Sequence, residues 1–481
     1  MRKQKLDEAT LPFASIAQLS NLLRTRRISA VKLTKFFTKR LEKIGPRYNA
    51  LACSLAKDAH KAAKAADSDL KHERFRSTLQ GIPYGAKDLF AVARHPTTWG
   101  AKPYADQVFD YNATVIERLK GAQAVLIGKL AMIELAGGGG YSSASASLQG
   151  PCLNPWNRMY WAGGSSSGSA AAVAAGLTPY ALGSETSGSI MTPACYSGIT
   201  GLRPTYGLVS RHGAMALSWT LDKVGVLARS ADDCGLVLHE IAGGDTDDPG
   251  SAHKSFHYRP KYYGDIKELK IGYAEIDFAE WPDEPMRPAF ANALAAVKSI
   301  GAQMTETTLP DFPYGPIIGT IIDSEGASVF EQLIRSGAVD QLADLSQIDG
   351  LKASLTYSAV DYLKAMRIRT QIRAAFNELF STVDLLLAPT RFSLPERADQ
   401  PFPETPPKRP DRKGVGAGLV QASNLCGLPA VSVSCGFVNG LPIGMQIVGP
   451  PFNENRILAF AREFQNRTDF HKQHPSDPDL K

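Results

Sequence analysis

The sequence predicts an α/β protein built around a mixed β-sheet that helices cover on both faces. From about residue 79 onward, short apolar runs alternate with glycine-containing turns and with helical patterns. Strands that alternate with helices in this way are typical of a sheet buried on both faces. The composition, 44% hydrophobic and 21% charged residues, fits a chain that can bury such a core.

The first 66 residues are predicted to form a helical segment packed on this core. Ser15 is placed to cap a helix over Ile16–Arg26, and Ser29 to cap a second helix that Gly45-Pro46 ends. Apolar residues recur in both at spacings of three and four, as on one face of a helix. A third, alanine-rich helix is expected from about residue 54 to residue 66.

The rest of the chain carries the predicted strands. They are the apolar runs at Gly81–Phe90, Ala124–Ile127, Leu269–Tyr273, Leu385–Leu387 and Ala430–Val433. Another alanine-rich helix is expected from about residue 287 to residue 300. The proline-rich residues 394–414 predict a long irregular loop.

Charge and cysteine usage exclude several classes of function. A net charge of +6 over 481 residues predicts no basic surface for nucleic acid. None of the six cysteines forms a C-x-x-C pair, so we expect reduced thiols rather than a disulfide scaffold. No secretory signal or membrane-spanning segment is recognisable, and no zinc motif follows His239-Glu240. We therefore expect a cytoplasmic protein with no metal, cofactor or membrane partner.

The most unusual part of the sequence is rich in glycine and serine. It covers residues 163–176, and a second turn of the same kind follows at residues 183–191. Neither turn has the lysine and glycine spacing of a phosphate-binding loop. Residues 164–168 match the G-x-S-x-G pattern of serine hydrolases around Ser166. That pattern requires a catalytic histidine downstream, and no downstream histidine lies in a sequence motif that marks it as one. A serine activated by a lysine is the third interpretation.

A lysine activates a serine only when the lysine is neutral. Its usual pKa of about 10.4 must then fall by roughly 3 units, which burial in an apolar strand achieves. Lys87 lies in such a run, and a strand directs its neighbour Asp88 to the opposite face. The pattern alone leaves open whether Lys87 is buried or is an exposed residue at the edge of the sheet.

Between about residues 79 and 468 the chain resembles the amidase signature family. The matching stretches are Gly81-Ile-Pro-Tyr-Gly-Ala-Lys87-Asp, Asn154-Pro-Trp, Gly163-Gly-Ser-Ser-Ser-Gly-Ser-Ala-Ala-Ala-Val-Ala, Gly183-Ser-Glu-Thr-Ser-Gly-Ser189-Ile, Gly201-Leu-Arg-Pro-Thr-Tyr-Gly-Leu-Val-Ser, Leu221-Asp-Lys-Val-Gly and Asn424-Leu-Cys-Gly-Leu-Pro-Ala. The resemblance implies the amidase signature fold. Residues 67–481 would form its catalytic domain, with a variable substrate-pocket region at about residues 301–420.

The resemblance also implies catalytic roles. Ser189 would be the nucleophile, Ser165 a bridging serine on a cis peptide, and Lys87 the base that draws a proton through Ser165. An oxyanion hole would be formed by the backbone N–H groups of four consecutive residues, Thr186, Ser187, Gly188 and Ser189. Such donors stabilise the charge that develops during acyl transfer.

Four residues are expected to bind the substrate. Gly139, Gly140 and Tyr141 fall where family members line the acyl-binding cleft, although a plain turn also explains them. Met191 stands where many members carry arginine. Its apolar side chain disfavours carboxylated or strongly polar substrates.

Other departures from the family bear on the substrate. Ser187 stands where many members have glycine, and it keeps its backbone N–H. Ala417 aligns with the aspartate that holds the amine of glutamine in the A subunit of tRNA-dependent amidotransferases. Glutamine is therefore not the expected substrate.

The expected function is that of a stand-alone serine amidohydrolase. It would cleave C–N bonds of small, neutral, rather apolar amides through an acyl-enzyme, and aryl esters and carbamates (urethanes) offer it the same chemistry. The alternatives are the A subunit of a tRNA-dependent amidotransferase that uses glutamine, and a catalytically silent binding protein. The oligomeric state is not predicted.

Overall fold

The computed structural model describes residues 8–261, 264–404 and 414–476. Its centre is a mixed sheet of eleven strands in this described part. The strands are β1 (Leu51–Ser54), β2 (Pro83–Lys87), β3 (Val125–Leu130), β4 (Tyr180–Glu185), β5 (Thr200–Arg203), β6 (Lys223–Ala228), β7 (Lys270–Tyr273), β8 (Gln303–Glu306), β9 (Leu385–Pro389), β10 (Ala430–Val438) and β11 (Leu441–Val448). Their order across the sheet is β1-β3-β2-β4-β6-β5-β10-β11-β9-β7-β8.

Helices flank this sheet, as the sequence predicts. They are α1 (Ile16–Arg24), α2 (Ala30–Ile44), α3 (Ala56–Lys71), α4 (Thr114–Gly121), α5 (Ser167–Ala174), α6 (Met191–Ser197), α7 (Ala231–Ile241), α8 (Glu275–Ala279), α9 (Arg287–Lys298), α10 (Tyr314–Val329), α11 (Glu331–Arg335), α12 (Leu345–Ser354), α13 (Ala359–Thr382), α14 (Leu419–Cys426) and α15 (Glu454–Arg467). The predicted α/β class with a mixed sheet is confirmed.

The first two helices begin at the predicted caps. Ser15 accepts the Gln18 N–H on its hydroxyl, and the Gln18 side chain accepts the Ser15 N–H in return. Ser29 accepts the N–H of Lys32 at the start of α2. Each cap satisfies an N–H group that the first helical turn leaves without a partner.

The third helix differs from its prediction. Residues 51–54 form the edge strand β1 and pair antiparallel with β3, whereas a helix was expected to begin at about residue 54. The helix α3 starts later, at Ala56, and continues to Lys71, past the expected end at residue 66. Backbone pairing with β3 outweighs the local preference for a helix at residue 54, and burial of Leu70 extends α3 at its other end.

Six strands of the described sheet were not predicted from the sequence. They are β1, β4, β5, β6, β8 and β11. Glycine and polar residues interrupt β4 and β6, so neither shows a continuous apolar run, yet each pairs with the other over six residues. The predicted irregular loop at residues 394–414 is described only to residue 404, because residues 405–413 lie outside the described part.

The centre of the sheet brings two chemically important strand ends together. Strand β2 runs parallel to β4, so both strands end at the same edge of the sheet. Helix α5 begins against β4 at Gly183, where an added Cβ would lie 2.9 Å from the Ser166 hydroxyl. Glycine at this position therefore allows the serine-rich segment to approach the strand.

The cysteines and the helix lengths in the described structure fit the expectations from the composition. All six cysteines are free, and five of them are buried. Within the described residues, no helix is both long enough and apolar enough to cross a bilayer.

Candidate active site

Lys87 is the last residue of β2, and its side chain is fully buried. Its Nζ donates to the Ser165 hydroxyl at 2.7 Å and to the Ser184 hydroxyl at 3.0 Å. Burial lowers the pKa of Lys87 to about 7, although the carboxylates of Asp222 and Glu185 act in the opposite direction. Near neutral pH, a substantial fraction of this lysine is therefore an uncharged amine.

The carboxylate of Asp88, the next residue in the chain, does not form an ion pair with Lys87. Asp88 points to the other side of the strand and forms a buried ion pair with Lys129, whose Nζ lies 2.8 Å from Asp88 Oδ1. Asp88 also accepts hydrogen bonds from the N–H and hydroxyl of Thr98. The expectation that alternation along the strand separates Lys87 from Asp88 is confirmed.

The serine-rich segment enters the site just before α5. The peptide bond between Gly164 and Ser165 is cis, and Ser165 is buried. The backbone N–H of Ser166 donates to the carbonyl of Ser189 at 3.2 Å, which joins this segment to the loop after β4. The Ser166 hydroxyl donates to the Ser184 carbonyl at 3.1 Å, so its interactions are those of a supporting residue.

The loop at residues 186–189 leaves four backbone donors free. Among the described residues, no acceptor takes a hydrogen bond from the N–H of Thr186, Ser187, Gly188 or Ser189. Gly188 has a φ of +89°, a conformation that favours glycine. Consecutive N–H groups without an acceptor in one turn are typical of anion-binding loops, and the oxyanion-hole role of these four residues stays a prediction.

Ser189 lies at the end of this loop and is 8% exposed. Its hydroxyl makes no hydrogen bond within the described part of the chain. The structure thus places Lys87 in contact with Ser165 but shows no hydrogen bond between the hydroxyls of Ser165 and Ser189. Catalytic hydrogen bonds often shorten only when substrate is bound.

A buried carboxylate fixes the loop and was not assigned a role from the sequence. One oxygen of Glu185 accepts the N–H groups of Ile190 and Met191 at 2.8 and 3.0 Å. The other accepts from Arg203 at 2.6 Å and from Asn424 at 2.9 Å. Burial by itself raises the pKa of Glu185, but the charge of Arg203 and the hydrogen bonds from Asn424, Met191 and Arg203 bring this pKa down to about 2. The carboxylate therefore stays ionised and anchors the turn that follows the four free N–H groups.

The available sequence signal for this anchor was weak. Glu185, Arg203 and Asn424 all lie in stretches that match the family motifs. Their separation along the chain, 239 residues between Glu185 and Asn424, hides the fact that they meet. The ion pair between Arg203 and Glu185 is recognisable only in the folded structure, where both side chains are buried in the same sheet.

The predicted substrate-binding residues lie in different surroundings. Gly139 packs against α12, since an added Cβ would lie 2.7 Å from the backbone nitrogen of Leu351. Gly140 has open space around it, and Tyr141 packs edge-on against Trp161 with ring centroids 6.0 Å apart. Met191 is fully buried in the main hydrophobic core. Their contact with a substrate stays a prediction.

A cavity of about 200 Å³ opens beside the site. Its inner end includes Ser184, which contacts Lys87, and Thr186, whose hydroxyl donates to Asp222 at 2.6 Å. The walls are mostly apolar, with Leu89, Ala136, Ala214, Met215, Leu217 and Val224 among them. The guanidinium of Arg211 in this wall is paired with Asp248 at 2.6 Å. The cavity therefore offers an apolar surface and no unpaired arginine.

No metal centre is apparent in the same region. Across the described ranges, no group of three or more histidine, cysteine, aspartate or glutamate side chains is placed to hold a metal ion.

A model of the Amidase family matches residues 32–458 of the sequence. The chain belongs to the amidase signature family. The resemblance stated from the sequence motifs is thereby confirmed. The A subunit of glutamyl-tRNA(Gln) amidotransferase from Desulforudis audaxviator is 35% identical over an alignment that covers 96% of this chain and 97% of the relative.

Two solved structures place the fold within the same family. The native peptide amidase from Stenotrophomonas maltophilia is 27% identical and superposes with a TM-score of 0.81, covering 97% of this chain and 99% of its own. A protein described in connection with a vestigial complex and the origins of an s-triazine catabolic enzyme is 28% identical. It superposes with a TM-score of 0.85 and covers 94% of this chain and 98% of its own. The similarity therefore spans nearly the whole chain.

Proposed function

We propose that this amidase family member is a serine amidohydrolase that forms an acyl-enzyme on Ser189. The observation that supports it most is the 2.7 Å contact between Lys87 Nζ and the Ser165 hydroxyl, made by a fully buried lysine. A lysine in this environment is basic and partly neutral near pH 7, which is what a general base requires.

The first half of the reaction forms the acyl-enzyme. Ser189 Oγ attacks the carbonyl carbon of the amide while its proton passes to Ser165 Oγ, and the Ser165 proton passes to Lys87. The oxygen of the tetrahedral intermediate carries the negative charge and accepts hydrogen bonds from the free N–H groups of residues 186–189. The C–N bond then breaks, and the proton held by Lys87 returns through Ser165 to the leaving amine.

The second half releases the acid. Water takes the place of the amine and loses a proton through Ser165 to Lys87 as it attacks the ester of Ser189. When the second tetrahedral intermediate collapses, the bond to Ser189 Oγ breaks and the carboxylic acid leaves. The proton held by Lys87 returns through Ser165 to Ser189 Oγ, which restores the hydroxyl and the neutral lysine. Esters undergo the same attack with an alcohol leaving in place of the amine, and carbamates lose an alcohol or an amine, so aryl esters and urethanes fit the same sequence of steps.

The apolar cavity supports a neutral substrate. Its exposed wall is mostly apolar, and Arg211 already pairs with Asp248, so a free carboxylate on the substrate finds no unpaired guanidinium among the described lining residues. An apolar acyl or aryl group instead buries its surface against side chains such as Met215 and Leu217, at about 25 cal/mol per Å².

A second candidate function rests on sequence identity. A relative 35% identical to this chain is named as the A subunit of a glutamyl-tRNA(Gln) amidotransferase. In that role the same acyl-transfer residues act on glutamine with partner subunits present. Ala417 provides no carboxylate for the amine of glutamine, which favours the stand-alone hydrolase.

The test is hydrolysis of a panel by the purified chain alone. The panel contains a p-nitroanilide, an aryl ester, an aryl carbamate and L-glutamine. We expect turnover of at least one apolar member and none of glutamine. Ser189→Ala should lower kcat by about 10³-fold or more, because the nucleophile is lost.

The matched control is Ser187→Ala. Ser187 lies two residues away in the same loop, and its proposed role uses only the backbone N–H, so its kcat should stay within about twofold of wild type. Full activity in Ser189→Ala would contradict the proposal. Turnover of glutamine with no turnover of the apolar members would favour the amidotransferase role instead.

A further inference from the structure

A groove away from the proposed active site carries two arginines and no carboxylate. Its volume is about 360 Å³, within the range of small-molecule sites. Arg369 and Arg373 lie one turn apart on α13, and Thr220, Cys426 and Phe452 also line the groove. We call this the arginine groove. It shares no lining residue with the cavity beside Ser184.

Neither guanidinium group of the groove forms an ion pair with a carboxylate of the described chain. Arg369 donates to two neutral backbone carbonyls, from Nε to Leu425 at 2.7 Å and from Nη2 to Thr220 at 2.8 Å. Arg373 is exposed and donates to no described acceptor. Burial and then the charge of Arg373 lower the pKa of Arg369, while the carboxylate of Glu325 acts in the opposite direction without pairing with it.

The other groups around the groove compensate this positive charge only in part, since neither carboxylate behind the lining forms an ion pair with an arginine of the groove. Burial raises the pKa of Cys426 to about 12, so its thiol is neutral at pH 7. Two carboxylates lie behind the lining, but both are engaged. Glu325 accepts the N–H of Thr220 at 3.2 Å, and Glu454 accepts the N–H of Thr205 at 2.8 Å.

The groove also contains a free hydroxyl and an apolar surface. The Oγ1 of Thr220 is buried and has no partner in the described structure. The Phe452 ring is 38% exposed, and Met366 lies beside the arginines. Lys254 adds a third positive charge, with its Nζ 4.0 Å from the centre of the Phe452 ring. A ligand that suits these groups has an oxyanion at one end and an apolar body at the other.

We propose that the arginine groove is a second ligand site that binds a small organic anion. Arg369 and Arg373 hold its carboxylate or phosphate group, the Thr220 hydroxyl donates to the same group, and the apolar part lies against Phe452. This site is independent of the chemistry proposed for Ser189. Carboxylates and phosphate esters share the recognised oxyanion, and the probes below separate them.

The test is calorimetric titration of the full chain with benzoate, phenyl phosphate and inorganic phosphate. We expect saturable binding of at least one aromatic anion at or below about 1 mM, with inorganic phosphate at least tenfold weaker because it lacks the apolar part. For the probe that binds, Arg373→Gln should lower the affinity at least tenfold, since the substitution removes a charge-assisted hydrogen bond. Thr220→Val should weaken it by about threefold or more through loss of one neutral hydrogen bond.

The control variant is Arg367→Gln. Arg367 is exposed on the same helix and does not line the groove. The Arg367→Gln substitution removes the same charge from the protein, so it corrects for long-range electrostatics. The affinity of this variant for the probe should equal that of wild type. Equal losses in Arg367→Gln and Arg373→Gln would overturn the site. So would the lack of saturable binding of any probe up to about 10 mM.

Discussion

Replacing Lys87 by methionine should abolish hydrolysis while making the protein more stable at pH 7. Activity should fall by about 10³-fold or more, because no base remains to take the Ser165 proton. Holding this lysine at a pKa of about 7, against 10.5 for an unperturbed lysine, opposes folding by roughly 4 kcal/mol. Loss of its two hydrogen bonds offsets about half of that gain. We expect the free energy of unfolding from urea denaturation to rise by about 2 kcal/mol.

The pH dependence of stability should also distinguish the wild-type protein from Lys87→Met. The unfolded chain binds more protons than the folded chain between pH 7 and pH 10.5, so wild-type stability should rise with pH across this window. Lys87→Met should lack that rise. The matched control is Lys129→Met. Lys129 is equally buried but pairs with Asp88, so its loss leaves an uncompensated carboxylate. Lys129→Met should therefore lower the free energy of unfolding by about 3 kcal/mol. A loss of stability in both variants would contradict the assignment of Lys87 as an unpaired buried amine.

Replacing Arg203 by methionine should destabilise the fold by about 3–5 kcal/mol. The change leaves Glu185 fully buried without its ion-pair partner, whose guanidinium lies 2.6 Å away in the wild-type protein. Burial then raises the pKa of this carboxyl group, and the hydrogen bonds that it accepts from the turn after residue 189 weaken. Activity should fall as well, because the free N–H groups of the loop lose their fixed positions. Urea denaturation and kcat on the most active substrate measure the two effects.

A surface ion pair of similar length provides the control. Arg335 lies 2.7 Å from Glu331 with both side chains more than half exposed. Arg335→Met should change the free energy of unfolding by less than about 0.5 kcal/mol, since exposed pairs contribute little. If Arg203→Met were equally mild, Glu185 would not depend on Arg203 for its charge.

Local signals in the sequence predicted much of the fold. The caps at Ser15 and Ser29 begin α1 and α2, because a capping hydroxyl acts on N–H groups only three residues away. The strand that ends at Lys87 was recognised from its apolar run, and alternation along it separated Lys87 from Asp88. These features depend on neighbours in the chain, so a single sequence contains them.

Features that depend on distant residues were missed. Strand β1 forms at Leu51–Ser54 because β3, more than 70 residues later, supplies its hydrogen-bonding partner. The Glu185 anchor joins segments that come together only in the folded sheet. The arginine groove likewise needs α13 to lie against the loop that carries Thr220. The family motifs marked several of these residues without showing which of them meet.

The most direct test of the central claim is the pH dependence of Ser189 phosphonylation. The wild-type chain reacts with a fluorophosphonate at a series of pH values, and mass spectrometry locates and quantifies the adduct. We expect a single adduct on Ser189, with a rate that falls about tenfold per pH unit below pH 7 as Lys87 becomes protonated, and that levels off above it. Lys87→Met should react far more slowly, with no inflection near pH 7. An adduct on another serine, or a wild-type rate without that inflection, would contradict the proposal that Lys87 activates Ser189 through Ser165.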